Sequence, residues 1–354
     1  MNNLNNQSST IRVSGSSAIR KRLDATNIDK VDLTDLAKVV NDNKSAIRVV
    51  NGDGKGDGKE ERYQVGGVSV DEGGGFDINQ FIPTVNLLYV FPPEVLDLVS
   101  KLDMMGDNLY FYGPTGCGKS EFVIQFHAHR KKPIVRLNAH NGINAEDFIG
   151  DMQLMPGPPP YTEFIPGILP MCMKYGMSVL VDEADFLSPE LAQVLHPVLE
   201  KNARRLTLPK LKVTMEAHPD FRIYFTGNTA GKGDDSNSYV GTKLLNDAFM
   251  DRLLFIGMDY LDSKMEKNLI KKAVPDLADS DVKILQEIAK KVREANQQQQ
   301  IVRTCSIRKL IEIARKVPTF GVKKAYELVL LNGLAPEEQL VVKGLVDRIE
   351  GVKV

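Results

Sequence analysis

The octapeptide GPTGCGKS, Gly113 to Ser120, constrains this chain more than any other feature. It has the G-x-x-x-x-G-K-[ST] spacing of a phosphate-binding loop, and it stands in the required context. The apolar run NLYFY (108–112) before it reads as a buried strand, and a predicted helix follows. Glycines let the backbone wrap closely around phosphates, so that N–H groups and the positive end of the helix face the negative charge. The motif therefore assigns Gly113, Pro114, Thr115, Gly116, Cys117, Gly118, Lys119 and Ser120 to a nucleotide, with ATP and Mg²⁺ as the expected ligands. Lys119 is expected to reach the β- and γ-phosphates, and the Ser120 hydroxyl to bind the Mg²⁺.

Four more short apolar runs read as buried strands: PIVRL (133–137), SVLVD (178–182), RIYFTG (222–227) and LLFIG (253–257). Helical stretches separate them, which is the layout of an α/β fold with a parallel sheet covered on both faces. Two segments read as β-hairpin excursions, DMQLMPGPPPYTEF (151–164) and RRLTLPKLKVTME (204–216). After Tyr260 the strands stop. Ile284, Leu285, Ile288 and Val292 share one helix face, and Ile307, Leu310, Ile311 and Ala314 share another, with Ser306 as N-cap and glutamines 297 to 300 as the loop between. The expected organisation is a flexible Gly-rich extension over 1–80, a nucleotide-binding αβα domain over 81–261 and a small all-helical lid over 262–354. In the extension, VDLTDLAKVV carries Leu33, Leu36, Val39 and Val40 at helical spacing. The Asp-Gly alternation after Asn51 is not a calcium loop, because Lys55 stands two residues after Asp53, where a ligand oxygen is needed.

The stretch VLVDEADFLSPE (179–190) supplies the partner of the phosphate loop. Asp182 ends a strand, where a Walker B carboxylate would hold the Mg²⁺, and Glu183 would activate the attacking water. The letters DEAD also suggest a helicase. That reading needs a second α/β domain, for which the helical chain after Leu261 is too short, and a Ser-Ala-Thr motif, which is not found. The next strand ends instead in FTGNTAG, placing Asn228 beside the phosphate-loop strand, where an amide can orient the lytic water. This is the first sensor of AAA+ ATPases, and the DEAD letters then read as a coincidence. Arg252, just before the last strand, is positioned to reach a neighbouring subunit's nucleotide. Its plainer role is a surface ion pair with Asp247 or Asp251. Arg308 opposes the macrodipole in the first turn of its helix, which suits a second sensor near phosphate; the alternative is an ordinary exposed arginine.

With these residues, the chain resembles the MoxR-like AAA+ ATPases, and within them the CobS family of cobalt chelatase ATPase subunits, over roughly residues 82–350. The resemblance is carried by TEFIPGILP (162–170), AHPDFRIYFTGNTAGKGD (217–234), YVGTKLLNDAFMDRL (239–253) and SIRKLIEIA (306–314). CobS-like ATPases also occur in bacteriophages. The resemblance implies a homo-oligomer, a hexameric ring, with a helix-2 insert at 145–165 and a pre-sensor hairpin at 203–217 on the surfaces that engage partners. It also implies a CobT-like adaptor carrying a von Willebrand A domain, and a large chelatase subunit. The Gly-rich amino-terminal segment departs from the family.

Composition narrows the remaining classes. A formal net charge of -1 argues against bulk electrostatic binding to nucleic acid or membrane. Lys201, Arg204, Arg205, Lys210 and Lys212 cluster on the second hairpin, so a nucleic-acid-translocating ring is the alternative function. No aromatic residue interleaves with these charges, and basic side chains on an edge hairpin also discourage aggregation. Cys117, Cys172 and Cys305 form no paired spacing, which suits a reducing cytoplasm. The chain has no apolar stretch of membrane-spanning length. His127 and His129 lie on different helix faces, and His140, His196 and His218 are isolated, so all five are expected to be structural or surface residues.

Overall fold

The computed structural model describes residues 62–65, 68–71, 77–139, 144–231 and 245–349. The helical spacing at 31–40, the Asp53–Lys55 segment, His140 and the 232–244 part of the family-like segments lie outside the described residues. An antiparallel hairpin, β1 (Arg62–Val65) with β2 (Val68–Asp71), comes first. Helix α1 (Pro93–Met104) opens on proline, whose missing N–H is harmless in a first turn. Strand β3 (Leu109–Tyr112) leads through the phosphate loop into α2 (Lys119–His129). After β4 (Ile134–Asn138), the short α3 (Ala145–Ile149) starts on a reciprocal capping box between Asn144 and Asp147. The first predicted hairpin is β5 (Gly150–Met155) with β6 (Tyr161–Pro166); α4 (Ile168–Tyr175), β7 (Ser178–Asp182) and α5 (Pro189–Leu195) follow. The second hairpin is β8 (Arg205–Leu208) with β9 (Val213–Glu216). Then come β10 (Ile223–Gly227), α6 (Asp247–Met250) and β11 (Leu254–Gly257). The remaining elements are the helices α7 (Ser263–Ala273), α8 (Asp279–Gln297), α9 (Ile307–Val329) and α10 (Pro336–Val346).

The described residues fall into two compact units. One takes its residues from 62–81, 144–178 and 190–221 and holds the three hairpins with α3, α4 and α5. Its interior includes Phe148, Leu169, Met173, Leu195 and Leu206. Lys210, at the turn between β8 and β9, donates to Glu146 at 2.7 Å and also to Asp151, which ties that turn to α3 and β5.

The other unit takes residues from 82–139, 179–189 and 222–349. Its parallel sheet has the order β11-β3-β10-β7-β4. Strands β7 and β10 are buried at every residue, as their unbroken apolar runs require of central strands covered on both faces. Leu109 pairs with Tyr224 and Leu254, and Tyr112 with Gly227 and Gly257. The carboxyl ends of β3, β10 and β7 therefore lie side by side, where open α/β sheets bind ligands.

A second core in this unit joins Leu285, Ile288 and Val292 of α8 to Leu310, Ile313, Ala314 and Val317 of α9. The stripe on α9 is rotated from the predicted one: Ile313 and Val317 are buried where Ile307 and Ile311 were expected. Both sets have helical spacing, and only the position of α8 decides between them. Helix α9 breaks at Gly321, three residues after Pro318. Among the described residues no helix is long and apolar enough to cross a membrane.

Candidate nucleotide site

The loop between β3 and α2 has positive φ at Gly113, Gly116 and Gly118. Gly116 stands at a close approach. A Cβ there would lie 2.2 Å from Cβ of Ser306, and the Ile307 N–H donates to the Gly116 carbonyl at 3.3 Å. Gly118 is the N-cap of α2 and offers no side-chain oxygen to its first N–H groups, which leaves the positive helix end to an anion. The Thr115 carbonyl accepts from the Tyr260 hydroxyl at 2.9 Å. Cys117 is buried, its thiol pKa raised by that burial, and its Sγ donates to the Met258 carbonyl at 3.8 Å.

Lys119 is buried and donates to the carbonyls of Gly113 (2.8 Å) and Pro114 (3.1 Å) and to Oδ1 of Asn228 (3.0 Å). Burial pulls its pKa down, against the opposing pull of Cys117, Asp185, Asp182 and Glu183. Ser120 Oγ donates to Asp182 Oδ1 at 2.6 Å. A hydroxyl and a carboxylate meeting so closely are hard oxygen donors, and Mg²⁺ characteristically takes one or two such ligands from protein and the rest from phosphate and water. The pair fits that ion. Among the described residues no group of three or more His, Cys, Asp or Glu could hold a metal by itself.

Asp182 is buried, and both of its oxygens are engaged. Thr226 Oγ1 donates to Oδ1, while Arg136 approaches Oδ2 through Nε at 2.7 Å and through Nη2. Glu183 is exposed and left-handed, φ +57°, with its N–H donating to Thr226 Oγ1 at 3.2 Å. Asn228 follows β10 directly, beside the loop-bearing strand as predicted. Its backbone N–H donates to Asp185 Oδ2. Asp185 also accepts from the hydroxyls of Tyr110 and Thr229, both at 2.8 Å. Asp185, the fourth letter of DEAD, thus bonds the turn after Asp182 to the segment bearing Asn228.

Arg252 lies at the other end of the sheet. Its carbonyl accepts from Asn108 Nδ2 at 2.9 Å, just before β3, and its Nη1 donates to the Ala248 carbonyl. Gly257 pairs with Tyr112, the last residue before the loop. The Arg252 carbonyl is held by Asn108, four residues before Tyr112, and at about 3.3 Å per residue that places it about 13 Å from the loop of its own chain. That exceeds the reach of one side chain. Arg308 is exposed in the first turn of α9, two residues beyond Ser306, whose hydroxyl caps the helix by accepting from the Lys309 N–H at 3.2 Å. The contact of Ser306 and Ile307 with Gly116 brings that turn to the phosphate loop.

Sequence reasoning missed Asp185, Arg136, Thr226 and Tyr260. Tyr260 marked only the end of the strands, yet it bridges Thr115 and Thr304 and lies 4.0 Å beneath the Arg293 guanidinium. On the second hairpin, Arg205 pairs with Glu216 at 3.0 Å and Lys210 with Glu146 and Asp151. Arg204 donates to the Val198 carbonyl and lies over Phe221. Of the histidines, His127 is buried, with Nδ1 donating to the Val123 carbonyl, and His218 accepts from the Asp220 N–H.

Residues 108–252 match the AAA domain of the dynein-related subfamily. The chain is 27% identical over 280 residues to the aerobic cobaltochelatase subunit CobS of Sinorhizobium sp, covering 77% of this chain and 84% of that one. An uncharacterised protein of Staphylococcus haemolyticus is 26% identical over 258 residues, 72% of this chain and 95% of its own. Among solved structures, the Thermotoga maritima RuvB Holliday junction branch migration motor superposes with a TM-score of 0.45 at 13% identity, over 77% of this chain and 75% of that one.

Proposed function

We propose that this chain is an AAA+ ATPase of the MoxR/CobS-like kind that works as a hexameric ring, hydrolysing Mg²⁺–ATP at each seam to drive a partner protein. Residues 113–120 cradle the phosphates, and Lys119 turns its charge from the loop carbonyls and Asn228 onto the β- and γ-phosphates. Mg²⁺ held by Ser120 and Asp182 would neutralise charge between those phosphates. Glu183 accepts the proton of the attacking water, and Asn228 orients that water. Arg308 approaches the same nucleotide from the lid side. Arg252 neutralises charge developing on the γ-phosphate of the adjoining copy.

The observation that carries this reading is the strand register, which sets Arg252 beyond the reach of its own phosphate loop. By its likeness to the CobS family, the ring would act in the cytoplasm through a CobT-like adaptor with a von Willebrand A domain. A large chelatase subunit, or another complex to be remodelled, would be the cargo. The ion pairs of Arg205 and Lys210 favour a protein partner over a nucleic-acid strand, because those charges already have carboxylate partners. Mixing variants tests the shared site. Arg252→Ala alone and Lys119→Ala alone should both be inactive, and the mixture should regain hydrolysis at hybrid seams. A mixture shown to co-assemble that stays inactive overturns the proposal.

A further inference from the structure

Asp185 has no part in the roles assigned above, yet it is 1% exposed and its hydrogen-bonding capacity is filled by donors from β3 and from the end of β10. It accepts from the Tyr110 hydroxyl (2.8 Å), the Asn228 N–H, the Thr229 N–H (3.3 Å) and the Thr229 hydroxyl (2.8 Å). Four donors match the lone-pair sites of one ionised carboxylate, and bonds to an ionised group are roughly twice as strong as neutral ones. Three of the four come from two consecutive residues at the tip of β10.

The other side of the cluster is the 3-10 turn Ala184–Phe186, which starts directly after Glu183. Among the described residues Glu183 is one of few non-glycines with positive φ, a conformation that persists only where its surroundings hold it. The Phe186 N–H returns to the Glu183 carbonyl at 2.9 Å, so fixing the turn fixes Glu183 as well. Gly227 shows how tightly the cluster is packed: a Cβ there would lie 1.9 Å from the Tyr110 hydroxyl and 2.7 Å from Asp185 Oδ1.

We propose that Asp185 is a positioning residue for ATP hydrolysis, locking the turn that carries Glu183 to the β10 tip that carries Asn228. Base and amide then keep one register across the γ-phosphate. The proposal rests on the roles given to Glu183 and Asn228 above. Misplacement by about 1 Å can cost two orders of magnitude in rate, so a lock of this kind would be felt in turnover before it was felt in binding.

The test uses the full chain with ATP and Mg²⁺, reading kcat by phosphate release and affinity with a fluorescent ATP analogue. Asp185→Asn keeps the shape but turns an amide N–H toward groups that are themselves donors. It should lower kcat at least tenfold and leave the nucleotide Kd within twofold, because none of its partners belongs to the phosphate loop. If that variant does not fold, Thr229→Ala removes one hydroxyl contact and should lower kcat about threefold or more at unchanged affinity. A parental rate in whichever of the two folds overturns the proposal, as does an affinity loss in proportion to the rate loss. Glu183→Gln is run in parallel. If it is slow while Asp185→Asn is normal, only the lock falls; if Glu183→Gln keeps the parental rate, the underlying reading falls.

Discussion

Gly116 occupies a position that the phosphate-loop motif leaves open, yet the fold demands glycine there. With φ at +77°, an alanine would pay the left-handed penalty of about 1–2 kcal/mol. Its Cβ would also lie 2.2 Å from Ser306 Cβ. Carbon atoms rest about 3.5–4.0 Å apart, so the loop and the start of α9 must separate by about 1.5 Å. That separation breaks the 3.3 Å bond from the Ile307 N–H to the Gly116 carbonyl, worth about 1 kcal/mol. Gly116→Ala should therefore destabilise by about 2–3 kcal/mol, or about 4–12 °C in melting temperature for a unit of this size. Because Arg308 rides on the displaced turn, turnover should fall about tenfold. Calorimetry and phosphate release measure the two effects. Ser306→Gly in the same chain removes the opposing Cβ, and glycine at an N-cap costs only a few tenths of a kcal/mol, so the double variant should regain much of the lost melting temperature. If Gly116→Ala melts within about a degree of the parent, or Ser306→Gly restores nothing, the steric argument is wrong.

Glu183→Gln should bind ATP normally and hydrolyse it at least tenfold more slowly, about 1.4 kcal/mol in barrier; unchanged single-turnover rates would exclude Glu183 as the base. Glu266→Ala should destabilise by about 3–5 kcal/mol, since it strands the buried Arg293 that it meets at 2.7 Å. A paired Glu266→Leu and Arg293→Met exchange should cost much less in urea unfolding, and an equal loss would argue against a stranded charge. Burial lowers the His127 pKa from 6.5 to about 4. The unfolded chain then protonates first, so the stability due to the neutral ring is complete above pH 6.5 and drains away as pH falls toward 4, by about 3 kcal/mol at the limit. His127→Gln should flatten that part of the urea-midpoint profile. Parent and variant keeping the same difference at pH 7 and pH 4.5 would refute it.

Much of the site was legible from local pattern. The five predicted strands agree with the observed ones to within a residue, and Ser306 caps α9 as its position before an apolar helix implied. The phosphate loop, Asp182 and Asn228 were recognisable because each sits at the end of an apolar run, where strand end and motif coincide. Asp185 was visible but unread, since nothing nearby reveals that its partners are Tyr110 and Thr229. Arg136 and Tyr260 gave no local signal at all.

Short-range chemistry alone therefore determined the elements and the candidate phosphate-binding residues: apolar periodicity selects strand or helix, and glycine, lysine and hydroxyl spacing marks the proposed cradle over eight consecutive positions. The tertiary structure decided which side chains converge on it. The strand order β11-β3-β10-β7-β4 sets Thr226 and Arg136 on Asp182, and chain closure brings Tyr260 to Thr115 across 145 residues. The same register holds Arg252 at a distance from its own loop. Such contacts depend on how separate elements pack, and packing is a property of the whole chain that no local window contains.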